Sequence, residues 1–259
     1  MRRQSDSIAM LTGALIAVLA VAGCHAPRDI EAARVNFYLS SPRDLLALNR
    51  VVFVEIGQDC GYPQVAGDTT EALCQAIQAR KLFHLDLIDR TGPACRDIPM
   101  GLSETYTMQH LVAIREALKC DAVLFGAVTA FQPHPRMRIG LYLRLLDLRK
   151  GKLLWAVDHV WDGADKATEA RIRDFFADRL GSGYDPVDWR LALMSPVMFE
   201  RFAAYEVAGT LPVRGGDQTP AGGAPTRAVR AARRGLEKIG QGMEKLQDAP
   251  QEIADSIEN

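Results

Sequence analysis

Cysteine and histidine are the side chains with which a protein most readily does covalent or metal chemistry, and this chain of 259 residues has five of each. The histidines, His25, His84, His110, His134 and His159, form neither His-x-x-x-His nor His-Glu-x-x-His, and no Gly-x-Ser-x-Gly elbow occurs. Cys60, Cys74, Cys95 and Cys120 are spaced by 14, 21 and 25 residues, which matches no zinc site, and there is no Cys-x-x-Cys. Gly57 to Gly61 follows a strand, where phosphate loops sit, but lacks Gly-Lys-Ser/Thr and leads into a loop containing Pro63. Asp158 and His159 are neighbours on a strand and point to opposite faces, so they cannot act as a pair. Asp86 and Asp89 flank another strand, where a capped or solvated carboxylate is the commoner role. No catalytic residue, metal or cofactor site is therefore expected; an enzyme would need residues that only folding brings together.

Cys24 has a different setting. A basic start (Arg2, Arg3) precedes an apolar run of 15 residues from Ile8 to Ala22, broken by Thr12 and Gly13, and then Val21-Ala22-Gly23-Cys24. As a helix the run spans about 22 Å, short of the roughly 30 Å hydrocarbon core of a bilayer. The segment resembles a lipoprotein signal: small residues fit the peptidase, and a thiol accepts diacylglycerol. The resemblance implies that residues 1–23 are removed as a signal peptide. Cys24 then carries diacylglycerol and an N-acyl chain such as palmitate, and the mature chain is tethered to membrane lipid. His25 in place of Asp points, under the enterobacterial sorting pattern, to the outer membrane facing the periplasm. Export also permits disulfides. We expect at most one or two, with Cys60 to Cys95 preferred and Cys120 a buried free thiol.

Of 31 Lys+Arg and 32 Asp+Glu, removal of Arg2, Arg3 and Asp6 leaves 29 against 31. That balance argues against nucleic-acid binding, which normally brings a basic excess. With 48% hydrophobic residues, the chain has enough apolar material for one full core plus appendages.

Residues 24–49 read as a lipidated tether and N-terminal helix. Arg50 to Ile56 is a compact β-branched strand, and Gly57 to Gly67 a loop. A helix over 69–81 and a strand over 82–89 then imply a parallel crossover. After a loop at 91–101 come a helix over 106–118 and three long strands, 122–131, 137–147 and 152–161, joined by hairpin-length connections. Alternation of Arg138, Gly140, Tyr142, Arg144 and Leu146 with Ile139, Leu141, Leu143 and Leu145 predicts one wet face and one helix-covered face. Helices over 165–180 and 196–207 follow, separated by a turn at 181–186. The expected fold class is α/β (α+β), with a mixed sheet of about five strands, parallel in its first half and an antiparallel meander in its second, and helices packed on it. Residues 50–208 form that domain, 209–225 a flexible Gly/Pro linker, and 226–259 an amphipathic helical tail. In the tail Val229, Ala232, Leu236, Ile239, Met243 and Leu246 recur in steps of three and four, beside a basic face of Arg227, Arg230, Arg233 and Arg234. Such a helix can pack back on its own domain or self-associate, dock a partner protein, or contact anionic lipid or cell-wall polymer through those arginines.

Lys119-Cys120-Asp121-Ala122-Val123-Leu124-Phe125-Gly126, followed by Asp147, Gly151 and Trp155 on a later hairpin, resembles the α/β domain shared by CsgG, the N-terminal domain of TolB, and LpoB. In that superfamily a helix runs into an Ala-Asp-Ala-hydrophobic-x-Gly strand, and a later strand carries Val-Asp-x-x-Thr-Gly-x-hydrophobic-Trp. Lys150 stands here where Thr is common. Read physically, Asp147 accepts backbone N–H groups across its turn, Gly151 takes positive φ, and Trp155 packs on the returning strand. The resemblance implies a non-enzymatic envelope protein that binds another protein. The alternative is an oligomeric component of an envelope secretion or transport apparatus, with the chain as a homo-oligomer. The sequence departs from each relative: it has no added pair of pore strands, no propeller repeats, and its linker follows the domain.

Overall fold

Runs of β-branched and aromatic residues alternate with helically spaced apolar ones, and a computed structural model shows how they assemble over residues 35–58, 60–93, 95, 106–180, 189–214 and 227–247. The strands are β1 (Phe37–Leu39), β2 (Arg50–Val54), β3 (Gly57–Gln58), β4 (His84–Ile88), β5 (Ala122–Gln132), β6 (Arg138–Asp147) and β7 (Lys152–Asp162). The helices are α1 (Pro42–Leu46), α2 (Pro63–Gln78), α3 (Met108–Leu118), α4 (Lys166–Leu180), α5 (Trp189–Ala192), α6 (Pro196–Gly209) and α7 (Arg227–Gln247).

The strands form one mixed sheet in the order β1-β7-β6-β5-β2-β4, with β3 pairing β5 off that path. β2 runs parallel to β4 and to β5, whereas β5-β6-β7-β1 is antiparallel throughout. The mixed α/β architecture with a parallel first half and an antiparallel second half is thus present, with seven strands rather than about five. The two extra strands are two and three residues long, too short for an alternation pattern to reveal. Phe37–Leu39, expected within a tether or helix, instead pairs with β7 as an edge strand.

The loop expected from Gly57 to Gly67 is also replaced. Gly57 and Gln58 pair with Ala127 and Val128 as β3, and Pro63 opens α2 six residues earlier than the sequence spacing suggested. Proline suits that first position, since its missing N–H is one a helix start leaves unpaired anyway. α3 begins at a capping box, with Thr107 Oγ1 accepting from His110 N and His110 Nδ1 from Thr107 N. It ends at Lys119, whose φ of 48° stops the helix.

Alternation along the strands divides the apolar residues between two cores. Val51, Phe53, Leu124, Leu143 and Trp155 pack with α2, α4 and α6 on one face. Val52, Val54, Phe125, Leu146 and Ala156 pack on the other with Leu111 and Ile114 of α3 and Val229 and Leu236 of α7. The sheet is therefore covered on both sides, and the wet face expected on β6 is not there: Tyr142, Arg144 and Leu146 are buried, with only Arg138 exposed. α3 with Tyr106 before it and the tail helix, which folds back onto the domain, share this side and together account for the difference.

The expected linker also starts later. Leu211 is in the core, Arg80 donates to the carbonyls of Ala208 and Leu211, and Arg214 donates to that of Leu82. Residues 215–226 lie outside the described set.

Gly126 fixes the spacing at the sheet centre, since a Cβ there would fall 2.0 Å from the Tyr142 carbonyl oxygen. Gly126→Ala should cost roughly 3 kcal/mol or more in denaturant unfolding, because backbone must shift. Gly235 of α7 has nothing within 4 Å of its Cβ position, so Gly235→Ala should stabilise by up to about 1 kcal/mol through helix propensity.

Candidate functional site

The residues that carry the sequence resemblance sit where β2, β5 and the β6–β7 turn meet. Asp121 Oδ2 accepts the backbone N–H of Asn49 and of Arg50, each at 3.1 Å, and its Oδ1 pairs with the Arg149 guanidinium. Burial alone would raise this carboxyl, but those N–H groups and the arginine outweigh it and hold Asp121 below the ordinary carboxylate range. Asp147 Oδ1 accepts from Arg149 N at 2.8 Å and Lys150 N at 3.0 Å, and Gly151 closes the turn at φ 59°. The buried Trp155 donates its indole N–H to Thr210 Oγ1 at 2.9 Å, tying β7 to the end of α6. Each of these groups is engaged in holding backbone segments together.

Three buried polar features were not read from the sequence. Arg144 is 2% exposed, and its guanidinium carbon lies 4.8, 5.2 and 5.6 Å from the ring centres of Phe125, Tyr142 and Tyr106. Cation–π attraction of that kind reaches about 2 kcal/mol when desolvated. Glu206 accepts from Trp161 Nε1 at 2.6 Å and from Arg171 Nε at 2.7 Å, and His159 stacks edge-on against Trp161. Burial, then the Arg171 charge, pushes the His159 imidazole down to about 4, with Asp158 opposing weakly. Glu200 is 2% exposed, and its Oε2 has no hydrogen-bond partner among the described residues. Burial, assisted by the nearby charge of Asp68, raises it to about 8. A signal for the two glutamates did exist: Glu200 and Glu206 recur at steps of three and four with Phe199, Phe202, Ala203 and Val207 of α6, so they lie on apolar helical faces.

The preferred bridge is not formed. Cys60, Cys74, Cys95 and Cys120 are free thiols. Cys60 packs against the core under α2 and α6, whereas Cys95 belongs to the core on the opposite face, so the sheet separates them. Cys120 is buried and free, as expected, and burial drives its thiol up to about 11. Burial likewise raises Cys74 and Cys95. Asp86 pairs with Arg50 and His84, and Asp89 accepts from the Thr91 N–H and hydroxyl. Both carboxylates thus do local structural work.

Cys24 lies outside the described residues, as do the side chains of Ile239, Met243 and Leu246. On α7, Val229 and Leu236 face the core while Arg227, Arg230, Arg233 and Arg234 are exposed. Arg233 lies 5.2 Å from the Tyr38 ring centre and donates to Glu237 at 2.5 Å. The structure thus brings the four expected arginines together on one outward helix face.

No protein-family model matches the chain, and no curated protein matches it. Similar solved structures include the PelC dodecamer from Paraburkholderia phytofirmans, at 15% identity over 52% of this chain and 86% of that one, with a TM-score of 0.36. Lipoprotein GNA1162 from Neisseria meningitidis is 12% identical over 52% of this chain and 99% of that one, TM-score 0.32. LpoB from E. coli is 16% identical over 47% and 64%, TM-score 0.31.

Asp121→Ala removes the acceptor of two backbone N–H groups and should cost about 2–4 kcal/mol in urea unfolding. Arg149→Gln, at the exposed end of the same pair, should cost under about 1 kcal/mol. Glu200 and His159 make opposite contributions to pH dependence. Glu200 is raised from 4.5 to about 8, so its contribution is full below pH 4.5 and is lost as pH climbs to about 8. His159 is lowered from 6.5 to about 4, so its contribution is full above pH 6.5 and is lost as pH falls to about 4. From pH 6.5 to 8 only Glu200 acts, and stability should fall by up to about 1.4 kcal/mol per pH unit. Glu200→Gln should flatten that fall; an unchanged slope in the variant contradicts the assignment.

Proposed function

We propose that the chain is a membrane-anchored lipoprotein of the outer membrane, facing the periplasm, whose α/β domain is a non-enzymatic protein-interaction module in envelope assembly or maintenance. The observation that carries this reading is Val21-Ala22-Gly23-Cys24 behind a 15-residue apolar run too short to span a bilayer. Among the described residues no helix is long and apolar enough to cross a membrane. Two or three acyl chains on Cys24 would make attachment effectively stable.

The binding role draws support from how polar groups are used. Asp121, Asp147 and Trp155 are all engaged in the fold. Large apolar side chains, by contrast, are left at the surface around the corner between α5 and α6: Met194 is 71% exposed, and Leu191 and Val197 are exposed beside it. Exposed apolar residues that cluster in this way are what a partner protein covers.

Intact-mass analysis of the chain isolated from bacterial membranes should find a start at Cys24 and added acyl mass, both lost in Cys24→Ala. An intact Met1 without acyl groups overturns the anchor. A photo-crosslinking residue at position 194, used in cells, should then recover a distinct envelope protein. Recovery of further copies of this chain alone would instead favour an oligomeric secretion or transport component.

A further inference from the structure

The outward face of α7 has a charge pattern that the fold does not account for. Arg227, Arg230, Arg233, Arg234 and Lys238 are exposed along its first twelve residues, against one exposed carboxylate, Glu237. Among the described residues, the side-chain contacts of this row include those of Arg233 with Tyr38 and Glu237. The apolar face of the helix is already spent, with Val229 and Leu236 buried against the sheet, so α7 cannot insert into a bilayer as a free amphipathic helix does. What it offers outward is charge.

The position of that face matters as much as its sign. Arg233 stacks over Tyr38, which belongs to β1, the first element after the segment that leads from Cys24. Only ten residues, 25–34, separate Cys24 from Val35, and ten residues reach at most roughly 35 Å when fully extended. A lipid on Cys24 would therefore keep the basic helix within a short reach of headgroups at every moment, turning a weak encounter into an intramolecular one. Screening over about 10 Å at moderate salt restricts the attraction to close approach, which the tether supplies.

We propose that the exposed face of α7 docks on anionic phospholipid headgroups of the membrane that carries the anchor, fixing the domain's orientation. Arg227, Arg230 and Arg234 make the phosphate contacts, with Lys238 extending the row. The proposal rests on Cys24 being lipidated, and it adds the second membrane contact and its chemistry. The domain is then held with its tail-helix side to the bilayer and with α6, on the opposite face of the sheet, turned away.

The test uses the full processed chain extracted from bacterial membranes and reconstituted in vesicles of phosphatidylcholine, alone or with 30% phosphatidylglycerol. Arginines are labelled with phenylglyoxal and their rates are read by mass spectrometry. Labelling of Arg227, Arg230 and Arg234 should slow at least threefold on the anionic vesicles and recover in 0.5 M NaCl. Arg201, exposed on α6, should label at one rate throughout. Equal rates for the three arginines on both vesicle types, with the protein still floating with each, overturn the docking while leaving the anchor intact. Slowing that salt does not reverse also overturns it, since the contact would then not be electrostatic. Failure to float with neutral vesicles removes the anchor itself.

Discussion

The Asp121 carboxylate holds together two halves of a sheet that run by different rules. β5 is paired in parallel with β2 on one side and antiparallel with β6 on the other, so its entry point has to satisfy both patterns. Asp121 does this by accepting the N–H groups of Asn49 and Arg50 from the parallel side while pairing with Arg149 from the antiparallel turn. The backbone joins in: Asp121 N donates to the Arg50 carbonyl and Leu148 N to that of Asp121. A carboxylate with two lone pairs on each oxygen can serve several donors at once, which no neutral side chain of its size can do. Gly126, five residues on, completes the arrangement by letting β6 approach without a side chain between.

Given that junction, the two-sided burial of the sheet follows from the tail. Without α7, the face bearing Tyr142, Arg144 and Leu146 would be covered by α3 and its flanks only. Arg144 shows what the cover demands. A guanidinium taken out of water is costly unless its charge is met, and here Phe125, Tyr142 and Tyr106 surround it. Those ring faces lie 4.8–5.6 Å from the guanidinium carbon, and on the other side of the sheet Glu206 meets Arg171.

Much of this was legible in the sequence because it rests on period and on turn chemistry. The three long strands, the helices ending near Leu118 and Gly209, and the roles of Asp147 and Gly151 depend on local pattern, and the residues carry that pattern plainly; the bond from Trp155 to Thr210, 55 residues on, does not. What escaped depends on partners distant in the chain. Phe37–Leu39 is a strand only because β7 is there to pair with it. Arg144 reads as solvent-facing because alternation with apolar neighbours says nothing about Tyr106 and Phe125, from other parts of the chain, whose rings close over its guanidinium. The cysteines gave spacing but not the face of the sheet each would occupy, and it is the face that rules out Cys60 to Cys95. The α7 arginines were readable as a basic stripe; that their helix would be seated beside β1 was not.

The two edges of the sheet are unlike, and the difference bears on where a partner can approach. At one edge β1 pairs with β7 while α7 lies across the adjoining face, so the entering chain, the tail helix and the basic residues gather on the same side. At the other edge β4 pairs with β2 alone among the described strands. Its exposed residues are His84, tied with Arg50 to Asp86, and Leu87. Charged side chains along an edge strand discourage indiscriminate pairing with other chains, while a single exposed leucine leaves one apolar foothold. The α5–α6 corner, with Met194 and Leu191 at the surface, sits beyond the opposite helical layer from α7. The basic residues of α7 and the exposed apolar residues of the α5–α6 corner thus lie on opposite sides of the sheet, so one side of the domain offers charge and the other apolar side chains.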